Sequence, residues 1–461
     1  MKSITLQNVS FSYYGCADLF AGLTVTFHND SVVAIVGDNG CGKSTLLKII
    51  AGQLQATTGR VIQDARIAYV PQLSPHGNKS GGQHQMSELM RAFDTGADII
   101  LFDEPTNNLD GAARALFFDR LARYPGGAII VSHDRELLRH VDAIYELSNG
   151  KLTVYGGGYD FYVATRQAAR RNLESKYTDT QKRIAELTRT VAVAQNTRQH
   201  HESKQKKEIT NARRSRLEAN ALRGKSQETE ARLRRNIQKK LNQQLDIQQS
   251  LSAIMRDDTI KIPMPSKPFY SKDLVFIQDL DFSYGDRPVL KKFNFVMHGG
   301  GRVLLSGRNG CGKSTLLKII CGQLQPSSGT VKTFGNIAYL NQDLSLLNPD
   351  CSVVENIMNV SGMLAHDAHA IAANFGFRGD TSRQLVGTLS GGELLRATLA
   401  AVLGGVNQPD LLILDEPTNN LDMKSVGVLE SALSQYRGAI LLVSHDADFV
   451  RSVAPDRTVE L

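Results

Sequence analysis

The sequence predicts an α/β protein: two P-loop nucleotide-binding domains joined by a long antiparallel two-helix linker. Three observations predict it. The stretch GDNGCGKSTLLKIIAGQLQ that begins at Gly37 returns as GRNGCGKSTLLKIICGQLQ at Gly307, 270 residues later. From Pro125 to Pro263 there is no proline, and the interior of that stretch is rich in Gln, Arg, Lys, Glu and Ala. At 461 residues the chain exceeds one ordinary core, and its 41% apolar content supports folded ones. Domains are therefore expected at 1–160 and 261–461, with the helical linker at 161–260.

Each domain opens with an alternating strand pattern, then an apolar run at Val32–Val36 or 303–305, then the Gly-rich loop and a Leu/Ile helix. This order suits a buried parallel sheet. A second apolar run, 99–104 and 411–416, ends in acids; a third, 128–133 and 439–445, precedes a histidine. In the linker, apolar residues recur at helical spacing as Ile184, Leu187 and Val191, and later as Leu233, Ile237, Leu241 and Leu245. Two helices with a turn at 206–225, where Gly224 offers a break, would make an arm of roughly 65 Å.

The formal net charge of +7 is unevenly placed, because residues 161–260 hold 22 Lys and Arg against 11 Asp and Glu. That local balance of +11 leaves −4 for the rest of the chain. Arg213, Arg214, Arg216, Arg223 and Lys225 crowd the expected tip. A solvated coiled-coil spacer is the plain reading of such charge, yet a spacer needs no cluster at its end, and clustered cations are the footprint of phosphate-backbone binding. Five cysteines without CxxC spacing argue against a disulfide framework or a zinc site, and a reducing cytoplasm is expected. The start, MKSITLQNVSF, lacks a secretory signal pattern, and no run reaches the ~18 apolar residues of a membrane span. The sequence stops at Leu461 after a strand taken as the equivalent of the one preceding the linker, so contacts from a C-terminal extension are not expected.

Both loops satisfy GxxxxGK[ST]: Gly37, Asp38, Asn39, Gly40, Cys41, Gly42, Lys43, Ser44 and then Thr45; and Gly307, Arg308, Asn309, Gly310, Cys311, Gly312, Lys313, Ser314 and then Thr315. Glycines let backbone N–H groups turn inward around phosphate oxygens, the lysines reach the terminal phosphates, and Ser44 and Ser314 supply a magnesium ligand. Recurrence at a fixed spacing sets this apart from a chance glycine turn. Asp103 and Asp415 end apolar strands and are expected to hold Mg2+; Glu104 and Glu416 are placed to polarise an attacking water. His133 and His445, each in VSHD, are candidates to contact the terminal phosphate, although a lone strand-end histidine is often a local hydrogen-bond partner.

These motifs resemble the ABC family. SGGQ with Ser80, Gly81 and Gly82, and SGGE with Ser390, Gly391 and Gly392, look like its signature; DEPTNNLD, twice, looks like its Walker B and D-loop. Gln72 and Gln342 resemble the Q-loop glutamine, a further metal ligand, and Tyr13 and Tyr284 resemble the aromatic that stacks on adenine, though a strand aromatic can equally be core. The resemblance implies head-to-tail domains within one monomer, each ATP lying between one Walker A and the opposite signature. Lys43, Ser44, Gln72, Asp103, Glu104 and His133 would face Ser390, Gly391 and Gly392, while Lys313, Ser314, Gln342, Asp415, Glu416 and His445 would face Ser80, Gly81 and Gly82. Both sites keep the full set, so both are expected to hydrolyse ATP with Mg2+. Cys41 and Cys311 inside the loops suggest that thiol alkylation blocks turnover.

Tandem cassettes, a basic two-helix linker and no span together resemble the ABC-F translation factors. That resemblance implies a ribosome partner, with ribosomal RNA and tRNA contacts near the exit-tRNA site and an arm extended toward the peptidyl-transferase centre. Between Gln342 and Ser390 lie 47 residues, whereas between Gln72 and Ser80 lie 7, and Lys79 replaces the usual leucine. Such trimming resembles the antibiotic-resistance branch; a housekeeping translation regulator is the alternative. A transporter's ATPase subunit fits less well, because the first cassette lacks the subdomain that receives a permease. In DNA-repair relatives the coil interrupts a cassette, whereas here it lies between two complete ones.

Overall fold

A computed structural model describes residues 2–72, 81–107, 109–209, 232, 235–251, 273–341, 344–405, 408–419 and 421–461. The chain divides into two compact units, Met1–Tyr162 with Ile260–Leu461, and Val163–Thr259. Both P-loop domains thus form one unit.

Each domain carries an antiparallel sheet and a parallel one. In the first, β1 (Ser3–Ser12) lies between β2 (Asp18–His28) and β4 (Thr58–Gln63); in the second, β10 (Asp273–Tyr284) lies between β11 (Arg287–His298) and β13 (Ser328–Thr333). Ile4, Leu6, Val9 and Phe11 of β1 point inward. The step from Leu6 to Val9 breaks strict alternation because the register shifts there, with Asn8 at φ 52°, and Asp279 repeats the irregularity at φ 51°.

The first parallel sheet has the order β5 (Ile67–Val70), β6 (Ile99–Asp103), β7 (Gly127–Val131), β3 (Val32–Val36), β8 (Ala143–Ser148), with β9 (Lys151–Tyr155) antiparallel at the edge. The second has β14 (Ile337–Leu340), β15 (Leu411–Asp415), β16 (Ala439–Val443), β12 (Arg302–Ser306) and β17 (Arg457–Glu460). Strands β6, β7, β15 and β16 are buried at every residue, which is why they read as continuous apolar runs. One expectation is corrected: β17 pairs with β12 as β8 pairs with β3, so it matches β8, not β9, the strand that immediately precedes the linker.

Helices cover both faces. In the first domain α1 (Lys43–Ile50) buries Leu46, Leu47, Ile49 and Ile50 against Leu6, Phe27, Ile35 and Leu101. On the other face α2 (Gly81–Asp94), α3 (Gly111–Ala122) and α4 (Arg135–Arg139) bring Leu89, Phe93, Phe117 and Leu137 onto Phe102 and Ile130. At ~25 cal/mol per Å2, each such large side chain contributes roughly 1.5–3 kcal/mol.

The linker unit contains most of α5 (Tyr159–Ile209), roughly 75 Å at 1.5 Å per residue, and the helix α6 at 235–251. Helix α5 continues across the first residues of the expected turn; 210–225, with Gly224 and the cationic cluster Arg213, Arg214, Arg216, Arg223 and Lys225, lies outside the described residues.

In the second domain α7 (Lys313–Ile320) repeats α1. Between β14 and β15 stand α8 (Val353–Ser361), α9 (Ala365–Asn374), two 3-10 turns at Gly379–Arg383 and Val386–Thr388, and α10 (Gly391–Leu403). Val353, Ile357, Ala368, Phe375, Leu395 and Leu399 give this subdomain its own buried centre. Between β5 and β6 the described residues hold α2 alone, the structural counterpart of 7 residues against 47. Helices α11 (Met423–Gln435) and α12 (Ala447–Val453) complete the second domain. No helix among the described residues is long and apolar enough to cross a membrane.

Candidate active site

The loop between β3 and α1 is shaped around a buried ammonium. Lys43 Nζ donates to the carbonyl oxygens of Gly37 (2.7 Å) and Asp38 (3.0 Å), and Lys313 Nζ to those of Gly307 (2.6 Å) and Arg308 (3.2 Å). Gly42 precedes α1 at φ 102°, where a Cβ would stand 2.5 Å from Leu19 Cδ2; Gly312 repeats this at φ 112° against Val289. Neither helix has a side-chain cap, so its first N–H groups are left for an anion. Cys41 Sγ tucks beneath Gly37, and burial pushes its thiol pKa up. Tyr13 and Tyr284 are half-exposed, not core; their rings stand edge-on to Phe11 and Phe282, and their hydroxyls meet Thr45 Oγ1 (3.1 Å) and Thr315 Oγ1 (3.5 Å).

Strand β6 ends at Asp103, whose Oδ1 accepts from Ser44 Oγ at 3.0 Å. Burial raises the Asp103 pKa against the pull of Ser44, Lys48 and Lys43. A hydroxyl beside one carboxylate fits Mg2+, which binds oxygen ligands and completes its shell with phosphates and water. In the second domain Asp415 Oδ2 accepts from Tyr339 Oη at 3.0 Å, and Ser314 and Asp415 line one cleft.

Glu104 and Glu416 follow these aspartates with φ 50° and 48°, left-handed values that cost a non-glycine residue about 1–3 kcal/mol. Their N–H groups donate to Val131 O and Val443 O, both at 2.9 Å, and buried Gln85 donates to Pro105 O at 3.0 Å. Burial pushes Glu104 up to about 8 and Glu416 up to about 7, and pushes His133 down to about 3 and His445 down to about 4. His133 Nε2 stands 3.7 Å from Glu104 Oε1, and His445 Nε2 3.4 Å from Glu416 Oε1. With imidazoles this hard to protonate, these are polar contacts and not ion pairs. Both ring nitrogens of His133 and Nε2 of His445 are buried without a hydrogen-bond partner among the described residues, which leaves them for a ligand atom.

The two domains also meet across their seam. Asn39 N–H donates to Asp422 Oδ2 (3.1 Å), and Lys424 Nζ to Asp38 Oδ2 (2.9 Å). Asp422 caps α11 through Ser425 N–H, and Ser425 Oγ fills the space that a side chain on Gly392 would need. Ser390 and Glu393 form a capping box at the start of α10. The first P-loop therefore meets the helix that packs on the second domain's signature.

In the opposite direction a cleft of about 820 Å3 is lined by Glu104, Asn107 and Arg114 of one domain and by Asn309, Gly310, Lys313, Ser314, Glu416 and His445 of the other. Asp422 lies close enough to His133, and Asp110 to His445, to act on their titration. Gln72 is exposed just past β5 and is not among the cleft residues. Gly81 and Gly82 open α2, while Ser80 and Gln342 lie outside the described residues. Three site residues escaped the sequence reading. Tyr339 was legible from the repeat, since IAYV and IAYL both place a tyrosine there; Gln85 and Arg114 had no such signal.

The family described as ABC transporter matches residues 20–79 and 290–419, and an extension bearing the same description matches 145–220. ATP-binding protein Uup of Caulobacter vibrioides is 31% identical, over 95% of this chain and 74% of that protein. The chain belongs to the ABC-F family of ABC ATPases. Ribosome protection protein VmlR of Bacillus subtilis is 29% identical to this ABC-F chain, over 100% of it and 87% of that protein. Archaeal ribosome recycling factor aABCE1, crystallised with the ribosomal stalk protein aP1, shares the fold at a TM-score of 0.58 and 19% identity, over 98% of this chain and 87% of that one. This ABC-F chain is an ATPase.

Proposed function

We propose that this ABC-F ATPase binds the ribosome near the exit-tRNA site and acts on translation by protecting the peptidyl-transferase centre against antibiotics. The observation that carries this is the similarity to a ribosome protection protein along the whole chain. Trimming of the first domain between β5 and β6 supports it, as does a cationic linker of 22 Lys and Arg suited to RNA phosphates. A general regulator of translation is the second reading, supported by relatives 31% and 28% identical that are named only ATP-binding proteins.

The P-loop N–H groups with Lys43 or Lys313 hold the ATP phosphates. Tyr13 and Tyr284 take the adenine, and Ser390, Gly391 and Gly392, or Ser80, Gly81 and Gly82, close each site from the other domain. Ser44 with Asp103, and Ser314 with Asp415, would hold Mg2+, joined by Gln72 and Gln342, and the metal would supply neutralisation of phosphate charge. Glu104 and Glu416 orient the attacking water and, in their ionised form, accept its proton, and neutral His133 and His445 donate to the terminal phosphate. Arg213, Arg214, Arg216, Arg223 and Lys225 of the linker contact RNA. ATP closes the two domains on each other and hydrolysis reopens them.

The test is sedimentation with ribosomes, combined with drug susceptibility of a bacterium expressing the protein. The Glu104→Gln/Glu416→Gln variant is expected to pellet with ribosomes in ATP, and the parent to raise the inhibitory concentration of peptidyl-transferase drugs. Ribosome binding with unchanged susceptibility selects the regulator; no ribosome binding rejects both readings.

A further inference from the structure

We propose that Arg114 is a positioning residue for the second ATP site, reaching across the seam so that the histidine loop of the first domain is tied to that of the second. It deepens the proposed function and rests on its assignment of Glu104 and Glu416 as the two hydrolytic carboxylates.

Arg114 lies on α3, four residues after Asp110, the residue that caps this helix. Its guanidinium is 11% exposed and is shared between the domains. Nη2 pairs with the carboxylate of Asp134, the residue after His133, and Nη1 donates to the main-chain oxygen of His445 at 2.9 Å. The connection continues in the second domain, where His445 N–H donates to Glu416 Oε2 at 3.3 Å. One side chain therefore links Asp134, in the first histidine loop, to the backbone that holds both the histidine and the glutamate of the other site.

Arg114 Nε is buried without a partner among the described residues, at the wall of the large cleft. On its far side Arg114 also lines a smaller cavity of about 320 Å3 with Arg139, Asp446 and Asp448. It thus forms the partition between the nucleotide cleft and the outer seam. Charge-assisted bonds of a planar guanidinium fix direction as well as distance. Asp134 is itself held, capping α4 through the N–H groups of Glu136 (3.0 Å) and Leu137 (3.4 Å), so the anchor is rigid.

The repeat offers no counterpart. Four residues after Asp422 stands Val426, which is buried in the apolar core of the second domain. The first site receives Asp422 and Lys424 across the seam at its P-loop, but no arginine at that helix position. The second site alone is wired to its neighbour's histidine loop in this manner, so the two sites are unequal.

ATP turnover is measured in the parent and in two single-site enzymes: Glu104→Gln, which leaves the second site, and Glu416→Gln, which leaves the first. Arg114→Met is expected to lower kcat about tenfold at the second site with KM for ATP held within about threefold, and to leave the first site within about twofold. Arg114→Lys, which keeps the charge and loses the fork, recovers part of the second-site kcat. Equal losses at both sites, a loss expressed in KM alone, no loss, or a lysine variant no better than methionine overturns the proposal. Thermal melts check folding, and should Arg114→Met not fold, the site-selective kcat loss in Arg114→Lys decides. Turnover in Glu104→Gln/Glu416→Gln within about tenfold of the parent would instead reject the glutamate assignment on which the scheme rests.

Discussion

Glu104 and Glu416 bend into left-handed backbone at the ends of β6 and β15, and each is bonded back to the neighbouring strand. That strain is held by the sheet and aims a carboxylate beyond the P-loop. Replacing both with glutamine is expected to lower ATP turnover by roughly two to four orders of magnitude while ATP binding persists, read by phosphate release and nucleotide binding. The buried histidines make a second prediction. Unfolded, they take a proton near pH 6.5; folded, His133 does so only near 3 and His445 near 4. Between those values the unfolded chain holds more protons, so stability falls as pH falls, by at most about 1.4 kcal/mol per pH unit for each. The glutamates act in the opposite sense: their raised pKa values mean that stability falls as pH rises from about 4.5 toward 8 and 7. In the Glu104→Gln/Glu416→Gln background the urea midpoint should therefore drop between pH 7 and 5, and adding His133→Gln and His445→Gln should flatten that drop. Cys41 modifies an expectation from sequence. Its burial under Gly37 and its raised pKa predict slow alkylation, so loss of turnover should follow labelling over hours at neutral pH and speed up in mild urea.

The strands and the loops between them were legible because a parallel sheet buried on both faces leaves no choice but uninterrupted apolar residues, as in IILFD and LLILD. The recurrence of the P-loop motif, in turn, located the glycine turns after β3 and β12. Cross-seam contacts were not legible, because Asp422 meeting Asn39, or Arg114 meeting His445, joins residues more than 300 positions apart with no spacing to betray them. The tyrosines at 13 and 284 were ambiguous for a physical reason: a strand alternates faces, and only the sheet's position tells which face is wet. At this scale the capping box at the start of α10 is exposed to test. Ser390→Ala is expected to cost about 1 kcal/mol of stability and, if the signature closes on ATP at the opposite P-loop, to raise KM for ATP; an unchanged KM with a lowered urea midpoint would confine the serine to capping.

The +11 charge of the linker region, against −4 elsewhere, makes salt the measurement for the whole molecule. Changing Arg213, Arg214, Arg216, Arg223 and Lys225 to glutamine should lower ribosome affinity and shrink the slope of log affinity against log salt by about 0.7–0.9 per charge that contacts phosphate. An unchanged slope would place the cluster away from RNA.

Arg135 with Glu430 at 2.7 Å, Arg139 with Asp448 at 2.8 Å, and Lys424 with Asp38 at 2.9 Å all bridge halves of one polypeptide. Dilution cannot part halves that the same backbone tethers, because each meets the other at an effective concentration set by the tether and not by the tube. Specific activity should accordingly stay constant across dilution, and a catalytically dead copy mixed with an active one should not poison it, as it would in an enzyme assembled from separate protomers.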